Sequence, residues 1–489
     1  MVSERLLEPA AADGQLPDGF VVRLNRRTHV ADGGGTIVGG APTRVLYLTA
    51  AARTMLSGGR LAVSSPATAA LAERLIDAGI ADPVVEDLPD LGVPDLLTAV
   101  TVVVPAHDRP EAVARLLGSI PRSVPVIVVD DRSQNPAAVR RVVERHGARL
   151  IALPENRGPA GARNAGLAAV TTPFVAFIDS DMVIDADTLP LLLRHFSDPR
   201  LGLVAPRIAG LEPADGPNWI TRYEAARSSL DLGAEPSIVR PGARVSWLPA
   251  ACLIARTAAL TDPAIGVGFS PGMRVAEDVD LVWRLCDAGW RVRYEPAVEA
   301  RHEHRRTVRD WLGRKAYYGT GADLLAQRHG DTVAPAVYTP WTLVLVVALL
   351  AQRRWSLPVA AGAAAVAAVR IGTRLRPTQH RTRIALRLTG QGALAATAQT
   401  AELLSRHWWP LAVVGSLLSR RVRRATVVAA AADAVYEHAR TRTGMGLLSF
   451  ALARRLDDLA YGAGVWWGAV RAGSSRALRP VVRVRSRIR

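Results

Sequence analysis

The sequence predicts an α/β catalytic core, preceded by a small α+β module of winged-helix size and followed by a helical, arginine-rich region. Three observations predict this. Between Leu97 and Glu303, apolar runs of strand length alternate with helical patterns, as expected of a parallel sheet covered on both faces. Before that stretch, short β-branched runs are punctuated by glycine. After about Gly330 the acids nearly vanish and the apolar runs lengthen. At roughly 150 residues per domain, 489 residues leave room for several, and the boundaries read as 1–95, 96–330 and 331–489.

Composition excludes several classes. With 49% hydrophobic and 21% charged residues, the chain is too apolar for disorder and too charged for a many-span transporter. Cys252 and Cys286 are the only cysteines, so there is no disulfide framework or cysteine zinc site, and any metal must sit on His, Asp or Glu. The net charge of +17 resides in the last quarter, where Arg370 to Arg489 holds 22 arginines and five acids. A cationic tail on a neutral body suits an anionic membrane surface. Lys315 is the only lysine, so the arginine usage reads as base-composition bias and not, by itself, as phosphate recognition. Arginines interleaved with apolar runs fit helices on lipid better than a nucleic-acid track, and no nucleic acid is expected as a partner. Charge alone would allow one non-enzymatic rival, a basic membrane- or nucleic-acid-binding protein.

In chain order, Met1 to Pro17 holds acids and no apolar core of signal-peptide length, which predicts a cytoplasmic amino terminus. FVVRL, THVA, TIVGG and RVLYL read as short strands, followed by helices over Thr49–Leu56 and Thr68–Ile80, the second with Leu71, Leu75 and Ile76 on one face. A linker from Asp82-Pro83 to Pro94-Asp95 marks the first boundary. The core strands are AVTVVVP, PVIVVDD, RLIAL, PFVAFIDSD and LGLVAP, separated by EAVARLLGSI, PAAVRRVVERHG, PAGARNAGLAAV and DTLPLLLRHF as helices. Val333 to Ala351 is uncharged for 19 residues and is followed by Arg353-Arg354. It reads as a membrane segment or membrane-embedded hairpin, or else as apolar helix of a soluble or surface-lying bundle. Ser356–Val369 and His407–Ser419 are short for spans.

In open α/β sheets, ligands bind beyond the carboxyl ends of the strands. Four strand ends carry polar residues: Pro105-Ala106-His107-Asp108, Asp130-Asp131-Arg132-Ser133, Glu155-Asn156-Arg157-Gly158 and Asp179-Ser180-Asp181. Two carboxylates at i and i+2 can hold a hard divalent cation that bridges to substrate phosphates, although a metal-free turn explains that tripeptide taken alone. No Walker loop precedes a helix and no G-x-G-x-x-G follows the first strand, which argues against an NTPase and a dehydrogenase.

Taken in order, TVVVPAHDRP, VIVVDDRSQNP, ENRGPAGARNAGL, FIDSDM, AEDVDLVWRLCDAGWRVRYEP and ARHEH resemble the family 2 inverting glycosyltransferases of the GT-A fold, over roughly residues 97–320. The resemblance implies a Rossmann-like, nucleotide-sugar-binding domain, a UDP-sugar donor, and Mn2+ or Mg2+ as cofactor. It implies that Pro105, His107, Asp130 and Asp131 cradle the nucleotide and that Arg157, Arg163 and Asn164 close over the donor. Asp179 and Asp181 would form the metal and diphosphate element, with Asp181 the direct ligand and His302 the distant metal-associated histidine; His304 is the lesser candidate. Glu277-Asp278 would be the acidic pair at the catalytic position, with Asp278 as general base. The Gln-x-x-Arg-Trp segment of processive members is replaced by Arg314-Lys315-Ala316-Tyr317-Tyr318-Gly319, which leaves processivity open.

FVVRLNRRTHVADGGGTIVGGAPTRVLYL with LAERLIDAGIADP is similar to the small winged-helix domains that recognise precursor peptides in ribosomal peptide modification. The three parts together are similar to the glycosyltransferases of mycofactocin biosynthesis in actinobacteria. That likeness implies UDP-glucose as donor, premycofactocin or a related peptide-derived redox cofactor as acceptor, and a β-linked oligosaccharide as product. It also implies peptide-modification partners at the amino-terminal module and a place on the cytoplasmic face of the membrane, peripheral or single-span. A lipid-linked or cell-envelope polysaccharide acceptor is the alternative.

Overall fold

The valine- and isoleucine-rich runs of the core become one nine-stranded mixed sheet in the computed structural model of the chain, which describes residues 14–375, 377–441 and 443–483. Most of the acidic amino-terminal stretch and the last arginines lie outside the described residues. The chain divides into two compact units, one holding the residues up to Asp215 together with Ser228–His304, the other Gly216–Arg227 together with Arg305 onward.

The first unit begins with the small module: strands β1 (Val21–Leu24), β2 (His29–Ala31), β3 (Thr36–Gly39) and β4 (Arg44–Tyr47), helix α1 (Ala50–Met55), β5 (Arg60–Ala62), helix α2 (Pro66–Asp77) and β6 (Ala81–Pro83). They form two three-stranded sheets, β5-β1-β6 and β2-β3-β4. α2 starts two residues before the predicted Thr68. Ser65 and Thr68 make a capping box and Pro66 occupies the first turn, a stronger start signal than the first apolar residue. Its buried face, Ala69, Ala72, Leu75 and Ile76, closes a core with Phe20, Val22, Ile37 and Leu61.

The Pro/Asp linker interrupts the sequence pattern but not the packing. Ile238, far along the chain, lies in the module's apolar core. Arg291 reaches Asp77 at 2.8 Å and Asp198 at 3.0 Å, Arg293 reaches Asp82 at 2.6 Å, and Arg240 donates to the carbonyls of Ala41 (2.6 Å) and Asp77 (2.7 Å).

The catalytic elements follow as β7 (Val100–Ala106), α3 (Pro110–Ser119), β8 (Val126–Asp130), α4 (Pro136–Arg145), β9 (Arg149–Ala152), α5 (Gly158–Leu167), β10 (Phe174–Ile178), β11 (Met182–Ile184), α6 (Thr188–Arg194) and β12 (Leu201–Gly210). Helix α7 (Trp219–Arg227) leaves for the second unit, and the chain returns through β13 (Ser237–Ile238), β14 (Cys252–Arg256), α8 (Thr257–Leu260), α9 (Glu277–Asp287) and β15 (Arg291–His302). The strand order is β11-β15-β12-β14-β10-β7-β8-β9, with β13 on β15. β10-β7-β8-β9 is the parallel part read from the sequence, whereas β14 runs antiparallel to both β10 and β12, so the sheet is mixed. This is the GT-A arrangement. Because the four parallel strands point one way, their polar carboxyl ends share one edge.

The second unit is helical: α7, α10 (Val308–His329), α11 (Pro340–Ala351), α12 (Ser356–Arg374), α13 (Arg381–Glu402), α14 (Trp409–Leu418), α15 (Arg420–Thr441) and α16 (Leu447–Ala472), with β16 (Val337–Tyr338) paired to β17 (Val481–Val482). The run Val333–Ala351 is not a single span. Strand β16 interrupts it, and α11 keeps only 12 residues, about 18 Å, against a hydrocarbon core of about 30 Å. Among the described residues, the helix long and apolar enough to cross a membrane is instead Ser356–Arg374. Lys315 lies in the stretch that departs from the processive pattern. It is buried against Glu224 at 3.0 Å and Asp457 at 3.5 Å, with Tyr223 donating to Asp457 and Trp311 to Glu224.

Candidate active site

The carboxyl edge of the parallel strands is knit together by its own loops. Asp130 Oδ1 accepts the Ser133 N–H at 2.9 Å, and Asp131 Oδ1 accepts the Arg157 N–H at 2.7 Å. His107 Nδ1 lies 2.9 Å from the Asp131 carbonyl, which also accepts from Asn156 at 3.2 Å. Pro105 closes β7 beside β8, opposite Val129. Six residues other than glycine adopt positive φ among those described, and four of them, Asp108, Arg109, Arg132 and Ala276, sit in these loops and at the start of α9. Left-handed backbone at ordinary side chains is costly and persists where the surroundings impose it, as they do around functional sites.

Arg163 organises the centre. Its guanidinium is buried and holds Asp179 at 2.6 Å and Glu277 at 2.8 Å while lying over the Phe269 ring. Burial pushes the Asp179 carboxyl above its ordinary value, Arg163 opposes that shift, and Asp181 adds to it. Asp278 stands next along α9, with its carboxylate accepting the N–H groups of Ala250 (3.3 Å) and Val279 (2.8 Å). Desolvation first, and the neighbouring Glu277 charge second, raise its pKa to about 7, which suits a proton acceptor near neutrality. Leu281 and Leu285 point into the core, as the helix spacing predicts, and fix the face that carries Asp278.

Not every predicted residue faces this centre. Both polar atoms of the Asn164 amide bond the backbone of Phe269, so this side chain braces the 268–270 loop. The Arg157 side chain is half exposed and pairs with Glu155. Asp280 is fully buried between Ser270 and Arg284.

On the other side of Asp179, Asp181 Oδ1 lies 3.6 Å from His302 Nε2, because β11 and β15 pair Met182 with His302. Among the described residues, no three His, Cys, Asp or Glu side chains form a metal cage. The donor set still fits a divalent cation that completes its shell with substrate oxygens. A carboxylate stands beside an imidazole whose Nδ1 is buried without a hydrogen-bond partner. His304 packs against Gly210, where a Cβ would approach Nε2 to 2.4 Å.

Sequence reasoning missed Arg109. Its guanidinium bridges Asp181 Oδ2 and Glu303 Oε2, both at 3.1 Å, and Arg115 also reaches Glu303. The only local signal was its place directly after His107-Asp108, since its partners lie 72 and 194 residues away.

Residues 101–238 match the model of glycosyl transferase family 2, and residues 174–418 match that of glycosyl transferase family group 2. The pre-mycofactocin glycosyltransferase of Mycobacterium tuberculosis (strain ATCC 25618 / H37Rv) is 41% identical over 477 residues, covering 96% of this chain and 99% of that protein. Poly-beta-1,6-N-acetyl-D-glucosamine synthase of Staphylococcus aureus (strain COL) is 27% identical over 217 residues, 42% of this chain and 50% of that protein. Among solved structures, a mannosyltransferase from Pyrobaculum calidifontis in complex with GDP-Man and Mn2+ aligns at a TM-score of 0.36 and 23% identity, over 64% of this chain and 91% of that one.

Proposed function

Because the chain belongs to glycosyl transferase family 2 and is a hexosyltransferase, we propose that it transfers glucose from UDP-glucose, with inversion, onto pre-mycofactocin or a related peptide-derived acceptor. The observation that carries this reading is the placement of Asp278 at the start of α9, where its carboxylate accepts the N–H groups of Ala250 and Val279 beside the Arg163-centred cluster and burial raises its pKa. The acceptor hydroxyl gives its proton to the Asp278 carboxylate as its oxygen forms the bond to the sugar's anomeric carbon. The bond from that carbon to the diphosphate breaks, and UDP leaves with the electron pair. One displacement converts the α-linked donor into a β-linked product, and repetition on the new sugar would build an oligosaccharide.

Pro105, His107, Asp130 and Asp131 line the nucleotide side, and Arg157 closes its rim. Asp179, Asp181 and His302 would hold a divalent cation, which when bound neutralises the leaving diphosphate. Arg163 keeps Asp179 and Glu277 aligned while contributing positive charge to the same region. The module preceding the catalytic part is read as the element that recognises the peptide-derived acceptor or its modifying partners. The apolar second unit is read as attaching the enzyme to the cytoplasmic face of the membrane.

A lipid-linked or envelope acceptor is the second reading, favoured by the exposed leucines and valines of the second unit. Purified full-length enzyme with UDP-glucose should add hexose to pre-mycofactocin by mass spectrometry, and Asp278→Asn should bind UDP-glucose but transfer nothing. Absence of product on pre-mycofactocin, with transfer to a lipid extract, would favour the second reading. Near wild-type transfer by the variant would place the base elsewhere.

A further inference from the structure

Two turns of the second unit meet at one corner. Gln352 ends α11 in the left-handed region and donates to the Arg421 carbonyl at 2.8 Å, which joins the α11–α12 turn to the α14–α15 turn. Gly415 packs α14 against α15, since a Cβ there would touch Val422 at 3.0 Å. The corner therefore gathers Arg353, Arg354, Arg420, Arg421, Arg423 and Arg424, all exposed. Among the described residues, none of the six has an acid within ion-pair distance. Between and beside them stand exposed apolar side chains, with Leu417 and Leu418 81% and 84% accessible and Trp355, Leu357 and Val414 close by in the chain. Water is a poor partner for such a surface, and monomeric soluble proteins rarely present one.

We propose that this corner is a docking surface for one leaflet of an anionic phospholipid bilayer. The leucines and Trp355 would enter beneath the phosphates, and the arginines would meet them. This rests on the reading above that the enzyme works at the membrane, and it adds where and how deeply the chain enters. The chemistry of the corner favours this occupant over the others. A plane of phosphates directly above hydrocarbon is complementary to cations directly beside leucines. A second copy would bring two sets of six arginines together, which like-charge repulsion opposes. A nucleic-acid backbone would leave the leucines uncovered.

The depth follows from lengths. α14 has 10 residues and α11 has 12, about 15 and 18 Å, enough for one leaflet and short of a crossing. α12 is long enough, but it packs along α11 and α13, and α13 begins with Arg381, Arg383 and Arg387. A crossing α12 would carry Arg370, about 6 Å short of its own end, and Arg387, about 9 Å along α13, into hydrocarbon.

Flotation of the full chain with phosphatidylcholine vesicles, with or without phosphatidylglycerol, tests the proposal. Binding should be strong only with phosphatidylglycerol and should survive millimolar inorganic phosphate. Replacing Arg420, Arg421, Arg423 and Arg424 by Gln should weaken it by roughly a thousandfold, as about 1 kcal/mol per arginine implies. Leu417→Ser with Leu418→Ser should weaken it with the arginines intact. Tight binding to phosphatidylglycerol vesicles unchanged in both variants would overturn this docking surface while leaving membrane attachment standing. Binding abolished by inorganic phosphate would overturn it in favour of a free-anion site. A lipid-free dimer that dissociates in the leucine variant would overturn it in favour of a second copy. No flotation with any vesicle would remove the membrane reading itself.

Discussion

As the proposed general base, Asp278 ties stability to activity through a single carboxyl. Only the ionised form can accept a proton, so kcat/KM for sugar transfer should rise with pH and level off above about 7, the value to which burial and Glu277 raise this group. A pH–rate profile checks it, and a flat profile between pH 5 and about 8 would contradict the assignment. The stability consequence has the opposite sign. A carboxyl whose pKa is higher folded than unfolded favours the fold in its protonated form, fully so below the unfolded value of 3.8, and this contribution is lost as pH rises through about 7. Asp278→Asn should therefore melt higher than wild type at pH 8, by a few degrees for about 1 kcal/mol, with the gain vanishing near pH 4. Arg163 is the reverse case. Arg163→Gln strands Asp179 and Glu277 in a buried site and should cost about 3 kcal/mol by denaturant titration, along with donor affinity. Arg163→Lys cannot span both carboxylates with one compact ammonium and should recover only part of either.

At the level of elements, α10 and α16 show how glycine permits close packing. A Cβ on Gly464 would lie 1.8 Å from the Ala316 carbonyl oxygen, and one on Gly319 would lie 2.1 Å from that of Tyr461, so the two backbones touch where side chains are absent. Gly464→Ala must push the helices apart at the point where Lys315 is held by Glu224 and Asp457, and should cost about 3 kcal/mol or more by thermal unfolding. Gly362→Ala, on α12 with nothing near its Cβ position, should be neutral or slightly stabilising. The same elements show what a sequence makes legible. Strands β7, β8 and β10 were readable with their polar ends because an apolar run that stops at a carboxylate is a local pattern, and those ends are where Asp130, Asp179 and Asp181 sit. Arg109 was not readable, because its meaning comes from Asp181 and Glu303, brought near only by the sheet. The run Val333–Ala351 yields a shorter helix than its hydropathy suggests, because hydropathy counts composition, whereas Pro335, and Thr339-Pro340 as a helix start, break the run into short pieces. α12 escaped notice as a long helix because Arg370 ended its apolar run while the helix continued to Arg374.

Across the whole molecule, the division suggested by composition and the division made by packing differ. The Pro/Asp linker separates the small module in sequence, yet the module and the catalytic sheet lie in one compact unit. Their boundary contains buried charges that need both sides: Arg291 and Arg293 are almost wholly enclosed, and each has a partner, Asp77 or Asp82, in the module. Segment 237–250 also belongs to both. It places Ile238 in the module's core, bonds Arg240 to the module's backbone, and ends at Ala250, whose N–H holds Asp278. Removing residues 1–95 should therefore not release a working transferase with only its acceptor affinity reduced. It should strip partners from Arg291, Arg293 and Arg240 and loosen the support of Asp278, giving a chain that is insoluble or has lost transfer. A milder form keeps the module in place. Asp82→Asn leaves Arg293 buried beside a neutral amide and should cost about 3 kcal/mol. In hydrogen exchange this loss should appear equally in the amides of β3 and β14, as one cooperative unit requires. Protection lost in β3 alone, or full transfer by the truncated chain, would show that the module folds and acts as an appended recruiter.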